Sequence, residues 1–399
     1  MTGSANFKDD FAAKGGVKLW GGSVAGSISR GSNRLNCPTF NLTTADVGKR
    51  CLVNRIGPGG GMDDDVIVGL DNLQGGVYLQ AILQNGNQDP NNDYSGLNIN
   101  LVPQDDAPAW NTAISQIRGT GAKLLVPPDV YACSTMNFSK IIGERVEGLG
   151  WGADNQGFPG SLGSTFIPIS PSGPLLDARG SQEYQLNFLE FGHQWQAQTP
   201  PIPILTEPTS DGAPSAGWRW DNLTFAGPWA AAMANFYGVI TAKISNCSFG
   251  QNRPGSISIV AGQDNLYPVT SPFSTGATGF QNCGQIHFED GGCSVAPGVG
   301  SVPTFYLRGT GGVTARNFTF VGSQGPACGV VQGARVNGVD PSLALYEECN
   351  IYPDGTGGPP AFSVWAEAGC TFSIQYEPFD GGGLGGAWGG PGTVSWTKL

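Results

Sequence analysis

Asn222-Leu223-Thr224-Phe225, Asn246-Cys247-Ser248-Phe249 and Asn317-Phe318-Thr319-Phe320 are three copies of one short block. Looser copies keep its outline: Gly292-Cys293-Ser294-Val295, Glu348-Cys349-Asn350-Ile351 and Gly369-Cys370-Thr371-Phe372. Their first positions lie 24, 46, 25, 31 and 21 residues apart, so the gap of 46 reads as two turns of about 23. β-Branched and aromatic runs recurring in the low twenties, with glycine between them, predict a β-solenoid. Each repeat is one coil that cannot bury its apolar face alone, and stacked neighbours supply the core.

The rest of the composition agrees with that reading. A chain of 399 residues is long enough for several domains, yet a solenoid runs this far as one piece. Glycine (63) and proline (29) are abundant, but 39% of residues are hydrophobic, which argues against disorder. Few charges (13%) and no long Ala/Glu/Lys/Leu runs point to an all-β class with many turns. A net charge of −11 without a basic cluster argues against nucleic acid, whose phosphates need grouped Lys and Arg. Neutral or cationic glycans, or a surface protein, fit the charge better, although acidity also serves solubility alone. No apolar run approaches the roughly 20 residues that span a bilayer, so no membrane partner is expected. Residues 1–18 lack the basic start and apolar core of a secretory signal.

The nine cysteines are odd in number, and Cys247, Cys293, Cys349 and Cys370 occupy the block's second position. There they alternate with Leu223 and Phe318, so they read as small buried hydrophobes and free thiols rather than disulfides. With no Cys-x-x-Cys pair and only His193 and His287, neither a metal nor a cofactor is expected. Asp63-Asp64-Asp65 and the Asp89 to Asp93 stretch lack EF-hand spacing and read as hairpin loops.

Along the chain, residues 1–30 are Gly- and Ser-rich with Phe7, Phe11 and Trp20, and read as an arm that orders only against a partner. Residues 31–103 read as a small β-rich module containing Ala45-Asp46-Val47-Gly48-Lys49. The span 104–379 holds one helix and the solenoid. Asp105 or Asp106 caps the helix, Pro108 suits its first turn, and Trp110, Ile114 and Ile117 keep helical spacing until Gly119 and Gly121 stop it. Placed ahead of the coils, this amphipathic helix is expected to plug the open end of the core. Lys123-Leu124-Leu125-Val126-Pro127-Pro128 and Val146-Glu147-Gly148-Leu149-Gly150-Trp151-Gly152 follow it. Residues 194–217 are too proline-rich for a central strand and read as a long loop, as do 253–276. The Gly-rich tail 380–399 carries Leu384, Trp388 and Trp396, as an end cap or subunit contact would.

In that order, the β-module, the aspartate-initiated helix with its strand, and the Val146 to Gly152 turn resemble the pectate-lyase-like right-handed parallel β-helix proteins, especially bacteriophage tail spikes. The resemblance covers roughly residues 30–380 and is specific for fold, less so for activity. It implies about ten coils, a homotrimer, location in the virion tail, and binding or cleavage of bacterial surface polysaccharide. A separate head-binding domain has little room here, so residues 1–30 would dock a neighbouring virion protein. Asn137, Asn222, Asn246 and Asn317 all lie in Asn-x-Ser/Thr, but the last three head the repeat block, where an asparagine side chain serves the turn rather than a glycan acceptor.

Outward residues of adjacent coils stand in columns about 4.8 Å apart, which suits paired carboxylates. In Ile286-His287-Phe288-Glu289-Asp290, inward Ile286 and Phe288 leave His287 and Glu289 outward, with Asp290 at the turn. His287, Glu289 and Asp290 are therefore catalytic candidates, against the ordinary reading as solvated turn residues. Asp221, Arg316 and Glu347 each precede the repeat turn and are expected to share one outward column. Arg316 and Glu347 form a salt bridge, or else Arg316 recognises an acidic sugar with Glu347 as a further catalytic group. Trp195, Trp218 and Trp229 are candidate sugar-stacking faces, with core packing as the alternative; Trp220 reads as core.

The leading expectation is a tail-spike or receptor-binding protein that engages host polysaccharide and cleaves it by glycosidase or lyase chemistry. A non-enzymatic virion adaptor and a free bacterial polysaccharide lyase are the alternatives.

Overall fold

The computed structural model describes residues 3–399 except 22–24, 39–41, 55–63, 73–77, 150–162, 195, 210, 252–255, 263–283, 296–301, 323–327, 353–361 and 378–387. It is mostly β, with two large parallel sheets of 17 and 9 strands, an antiparallel sheet of 8, and one α-helix among the described residues. This arrangement is consistent with a solenoid. The chain repeats a three-strand circuit, for example Trp218–Asp221, Thr224–Gly227 and Ala232–Tyr237, then Ala242–Ser245, Ser248–Gln251 and Ile257–Gly262. Each strand pairs in parallel with its counterpart one circuit later. The first two strands of a circuit form two limbs of the 17-stranded sheet, and the third builds the 9-stranded sheet.

Alternation sets the packing. Trp218 and Trp220 point inward, Arg219 and Asp221 outward, because successive strand side chains take opposite faces. Along the second limb the inward column runs Tyr131, Phe166, Phe191, Phe225, Phe249, Cys293, Phe320 and Ile351. Phe225 and Phe249 stack at 4.7 Å and 4°. The described cysteines are buried and free. Burial pushes the Cys247 and Cys370 thiols up to about 12, so these groups stay neutral.

The register corrects the spacing read from sequence. Ser245 pairs with Glu289 and Phe249 with Cys293, so Asp290-Gly291-Gly292-Cys293 is the copy of Asn246-Cys247-Ser248-Phe249. The gap of 46 is therefore not two turns, because Ala242–Ser245 and Ile286–Val295 are direct neighbours. Glycine is required at 291, where a Cβ would lie 2.3 Å from the Cys247 carbonyl oxygen. The Gly369 block falls at a different corner, since Ser373 pairs with Ser342 at the start of the first limb.

The helix Ala107–Ile117 buries Trp110, Ile114 and Ile117 in the same core as the first circuits. Trp110 lies 5.4 Å from Phe166 and 5.9 Å from Phe138. The two aspartates divide the work: Asp105 accepts from the Ala107 N–H at 2.9 Å, while Asp106 turns to the Lys14 and Gly15 N–H groups at 2.9 and 3.1 Å. Within the segment expected to be an arm, residues 4–7 pack on the parallel part of this same chain. Ser4–Asn6 pairs in parallel with Lys123 to Leu125, and Phe7 is fully buried against Trp110 and Tyr131. The physical reason is that the first strand ahead of the coils has an open edge, and this segment brings both a strand and an aromatic to it.

The antiparallel sheet has its own core of Ile28, Leu35, Cys51, Ile67, Leu83 and Ile99 among others. Its other face lays Val17, Leu52 and Val102 on Ala132, Ile167 and Ile169 of the parallel part. Asp46 is buried between Lys18 (2.8 Å) and Lys49 (2.6 Å). Burial alone would raise its pKa, but hydrogen bonds from both lysines and the Thr43 N–H hold the carboxyl well below the usual range. Asp65 and Asp89 spend their carboxylates on turn N–H and side-chain donors, Asp65 on Gly86 and Asp89 on Asn91 and Tyr94. Residues 194–217 are not wholly loop: Ile204–Leu205 pairs with Leu176 and Asp177 and with Ala234 and Asn235 inside the 9-stranded sheet. The segment 253–276 is not wholly loop either: Ile257–Gly262 is a strand of the 9-stranded sheet, while its other residues lie largely outside the described ones, as does the Gly150 to Gly152 turn. Trp388–Gly389 and Thr393–Lys398 are the last strands of their ladders. No described helix is long and apolar enough to cross a membrane.

Candidate functional site

The first limb presents three columns to the outside. One runs Arg145, Gln185, Arg219, Lys243, His287, Thr314 and Ala344. Beside it stand Glu147, Asn187, Asp221, Ser245, Glu289, Arg316 and Tyr346. The third is the corner between limbs, where Phe188, Asn222, Asn246, Asp290, Asn317 and Glu347 all take φ between 46° and 54°. Short polar side chains tolerate that left-handed conformation best, which explains the asparagines.

Over these columns lies a groove of about 380 Å³ lined by Gln185, Asn187, Arg219, Asp221, Lys243, Ser245, Asn246, Glu289 and Asp290, with Trp220 below. Bonds across adjacent circuits fix its walls. Asn246 Nδ2 donates to Asp221 at 3.0 Å, and Asn317 Nδ2 donates to Asp290 at 2.8 Å. These asparagine side chains therefore bind carboxylates of the preceding circuit. Lys243 Nζ pairs with Glu289 at 2.7 Å. His287 Nδ1 and Thr314 Oγ1 share a hydrogen bond of 2.7 Å. Arg219 has no ion-pair partner among the described residues.

His287 is exposed, Glu289 half-buried and Asp290 at the corner. Glu289 and Asp290 enter the groove; His287 lies in the column that lines it but is not itself part of the lining. Glu347 does not share the column of Asp221 and Arg316. Tyr346 pairs with Arg316, and three residues (347–349) face two (317–318) before Asn350 pairs with Thr319, so an extra residue puts Glu347 at the corner. Arg316 and Glu347 meet at 3.4 Å, both half-exposed and away from the groove.

Trp218 and Trp229 are fully buried and offer no stacking face. Trp218 stacks on Tyr184 at 5.7 Å and on Trp220 at 4.7 Å, and Trp229 donates its indole N–H to the Ala226 carbonyl. Their burial follows from the inward parity of the strand and from the wall beside the proline-rich segment. Trp195 lies outside the described residues. The sequence reading missed Gln185, Asn187, Arg219 and Lys243. The signal was present in Trp218-Arg219-Trp220-Asp221 and Ala242-Lys243-Ile244-Ser245, which share the parity of Ile286-His287-Phe288-Glu289. Among the described residues no group of three His, Cys, Asp or Glu side chains gathers as a metal site would require.

No protein-family model matches the chain. No curated protein matches it either. Among solved structures it is similar to the A-module of the Azotobacter vinelandii mannuronan C-5 epimerase AlgE4, at 12% identity over 74% of this chain and 94% of that one, with a TM-score of 0.35. It is similar to the catalytic domain of a GH87 α-1,3-glucanase at 9% identity, over 97% and 84% of the two chains, with a TM-score of 0.35. The Dettilon tailspike protein gp208 gives 12% identity, 74% and 65% coverage, and a TM-score of 0.29. Likenesses this distant fix neither topology nor chemistry, so the reading of this chain rests on its own ladders and groove.

Proposed function

We propose that this chain is a right-handed parallel β-helix whose first-limb groove binds a bacterial surface polysaccharide, and that it serves as a bacteriophage tail-spike or receptor-binding protein in a homotrimer. The right hand follows from the strong preference of parallel crossovers. In this reading residues 31–103 form a docked module and 104–379 the helix with its end plug. The observation that carries the function is the groove. Planar amides (Gln185, Asn187, Asn246), carboxylates (Asp221, Glu289, Asp290) and cations (Arg219, Lys243) converge there on a rigid ladder. Such side chains match the donor and acceptor pairs of vicinal sugar hydroxyls, and a preordered frame limits the entropy lost on binding.

Cleavage by inversion is a second reading, favoured by one observation. Asp221 and Glu289 stand two circuits apart in one column, with small Ser245 between them. That is roughly 9–10 Å at the backbone, close to the 6.5–9.5 Å spacing that admits a water beside the sugar.

Incubation with capsule and lipopolysaccharide from candidate hosts tests both readings. Retention of a polysaccharide supports the binding function, and failure to retain any removes it. Oligosaccharide release that disappears in Glu289→Gln supports hydrolysis; binding without release leaves an adhesion protein. Absorbance from an unsaturated uronate in the product would point to a lyase instead.

A further inference from the structure

The corner after Asn187 departs from its neighbours in a way the ladder does not require. On the following circuits this position holds Asn222, Asn246, Asp290 and Asn317, residue types suited to positive φ. Phe188 sits there at φ 53° with the same backbone bond, its N–H donating to the Asp221 carbonyl at 3.1 Å. Asn222 and Asn246 donate in the same way to Ser245 and Glu289, at 3.0 and 2.9 Å. A bulky aromatic in this conformation is strained. Phe188 is 37% exposed, lies outside the hydrophobic core, and touches no other aromatic ring among the described residues. Glycine at 148 on the preceding circuit lets the backbone approach closely here, since a Cβ there would lie 2.0 Å from the Phe188 carbonyl oxygen.

We propose that Phe188 is the stacking platform for a pyranose ring of the glycan held in the groove, an inference that rests on the polysaccharide-binding reading above. Asn187, the residue before it, lines the groove, and Asp221 is one circuit further along the same column. Phe188 is not itself in the groove lining but adjoins it in sequence at Asn187, so in this proposal one sugar rests on Phe188 while the next residues of the glycan occupy the groove. The platform selects a hexopyranose with one unobstructed C–H face; an open-chain polyol phosphate has no such face to offer. An aromatic ring supplies that contact with little conformational freedom to lose. Strain kept at an exposed residue beside a polar groove is the pattern expected where binding, rather than stability, is served.

Two measurements on Phe188→Asn separate this role from a structural one. Asparagine is the resident type at three of the neighbouring corners, so the melting temperature should rise by about 2–4 °C. Affinity for the capsule or lipopolysaccharide polysaccharide that retards the wild-type protein in gel electrophoresis should fall at least tenfold. Phe188→Tyr should retain that affinity within about threefold, since the ring face is kept. Dextran and alginate serve as neutral and acidic reference polymers. A lowered melting temperature for Phe188→Asn would make the residue structural and overturn the platform. Undiminished affinity in Phe188→Asn, alongside weakened binding in Asp221→Asn, overturns the platform while the glycan reading stands. A wild-type protein that retards none of the polysaccharides overturns both.

Discussion

Glu190 illustrates how much a single side chain can depend on its place in the ladder. It follows Leu189 and precedes Phe191 on a second-limb strand, and parity sends it outward. It is nevertheless almost fully buried, with its carboxyl accepting from Thr165 Oγ1 at 2.8 Å. Burial pushes its pKa up to about 8, against a smaller lowering by the threonine bond. The folded state therefore holds a proton that the unfolded chain releases near pH 4.3. The stability this contributes is fully present below about pH 4.3 and is lost as pH rises toward about 8. Glu190→Gln keeps an acceptor for Thr165 without the charge. Urea denaturation should find the variant more stable than wild type at pH 8, by on the order of a few kcal/mol, with the gap closing by pH 5. Equal pH dependence in the two proteins would refute this account. The turn role of the corner asparagines was legible in the sequence because tolerance of positive φ is local, whereas their bonds to Asp221 and Asp290 of the preceding circuits were not. Glu190 was not, because what covers it is remote in the chain.

At the scale of elements, the helix and the segment ahead of it pack together on the first circuits, as the proposed end plug requires. Helical spacing announced Trp110, Ile114 and Ile117, and all three are buried. The contribution of Phe7 was hidden, since a three-residue strand among glycines carries no periodicity to read. Asp106 is the link between the two, holding the Lys14 and Gly15 N–H groups and the Gln104 amide. Removing residues 1–16 should unseat Phe7 and reopen the edge at Lys123–Val126. The expected loss is about 3–5 kcal/mol for the aromatic alone, read as a lowered urea midpoint. An unchanged midpoint would return the segment to the status of a free arm. The same comparison explains the tryptophans. Aromatics beside prolines resemble a binding loop in sequence, whereas Trp218 and Trp229 fill the interior where circuits meet.

For the whole molecule, the net charge of −11 did not disclose that two cations, Arg219 and Lys243, stand among the three carboxylates of the groove. Arg145, Arg219 and Lys243 stand in one column of an acidic protein because the register brings together residues dozens of positions apart. Exposed Tyr352, Trp388 and Leu399 near the last circuits are apolar surface available to a neighbour. If the chain is the homotrimer proposed, light scattering should return three times its 41.5 kDa mass at micromolar concentration. A single-chain mass would remove the trimer from the proposal.

The sequence by itself determined the all-β class, the helix with its three buried anchors, the inward and outward parity around His287 and Glu289, and the polar corners. Each of these follows from interactions between residues within a few positions of one another. Only the tertiary structure decided which circuits are neighbours, and so which side chains share the groove. Column membership depends on register, and one inserted residue or one long excursion between strands shifts it without changing any local pattern. That is why the outward parity of Arg219, Lys243 and Glu289 was legible in the sequence, whereas their meeting in one groove was decided by the folded chain.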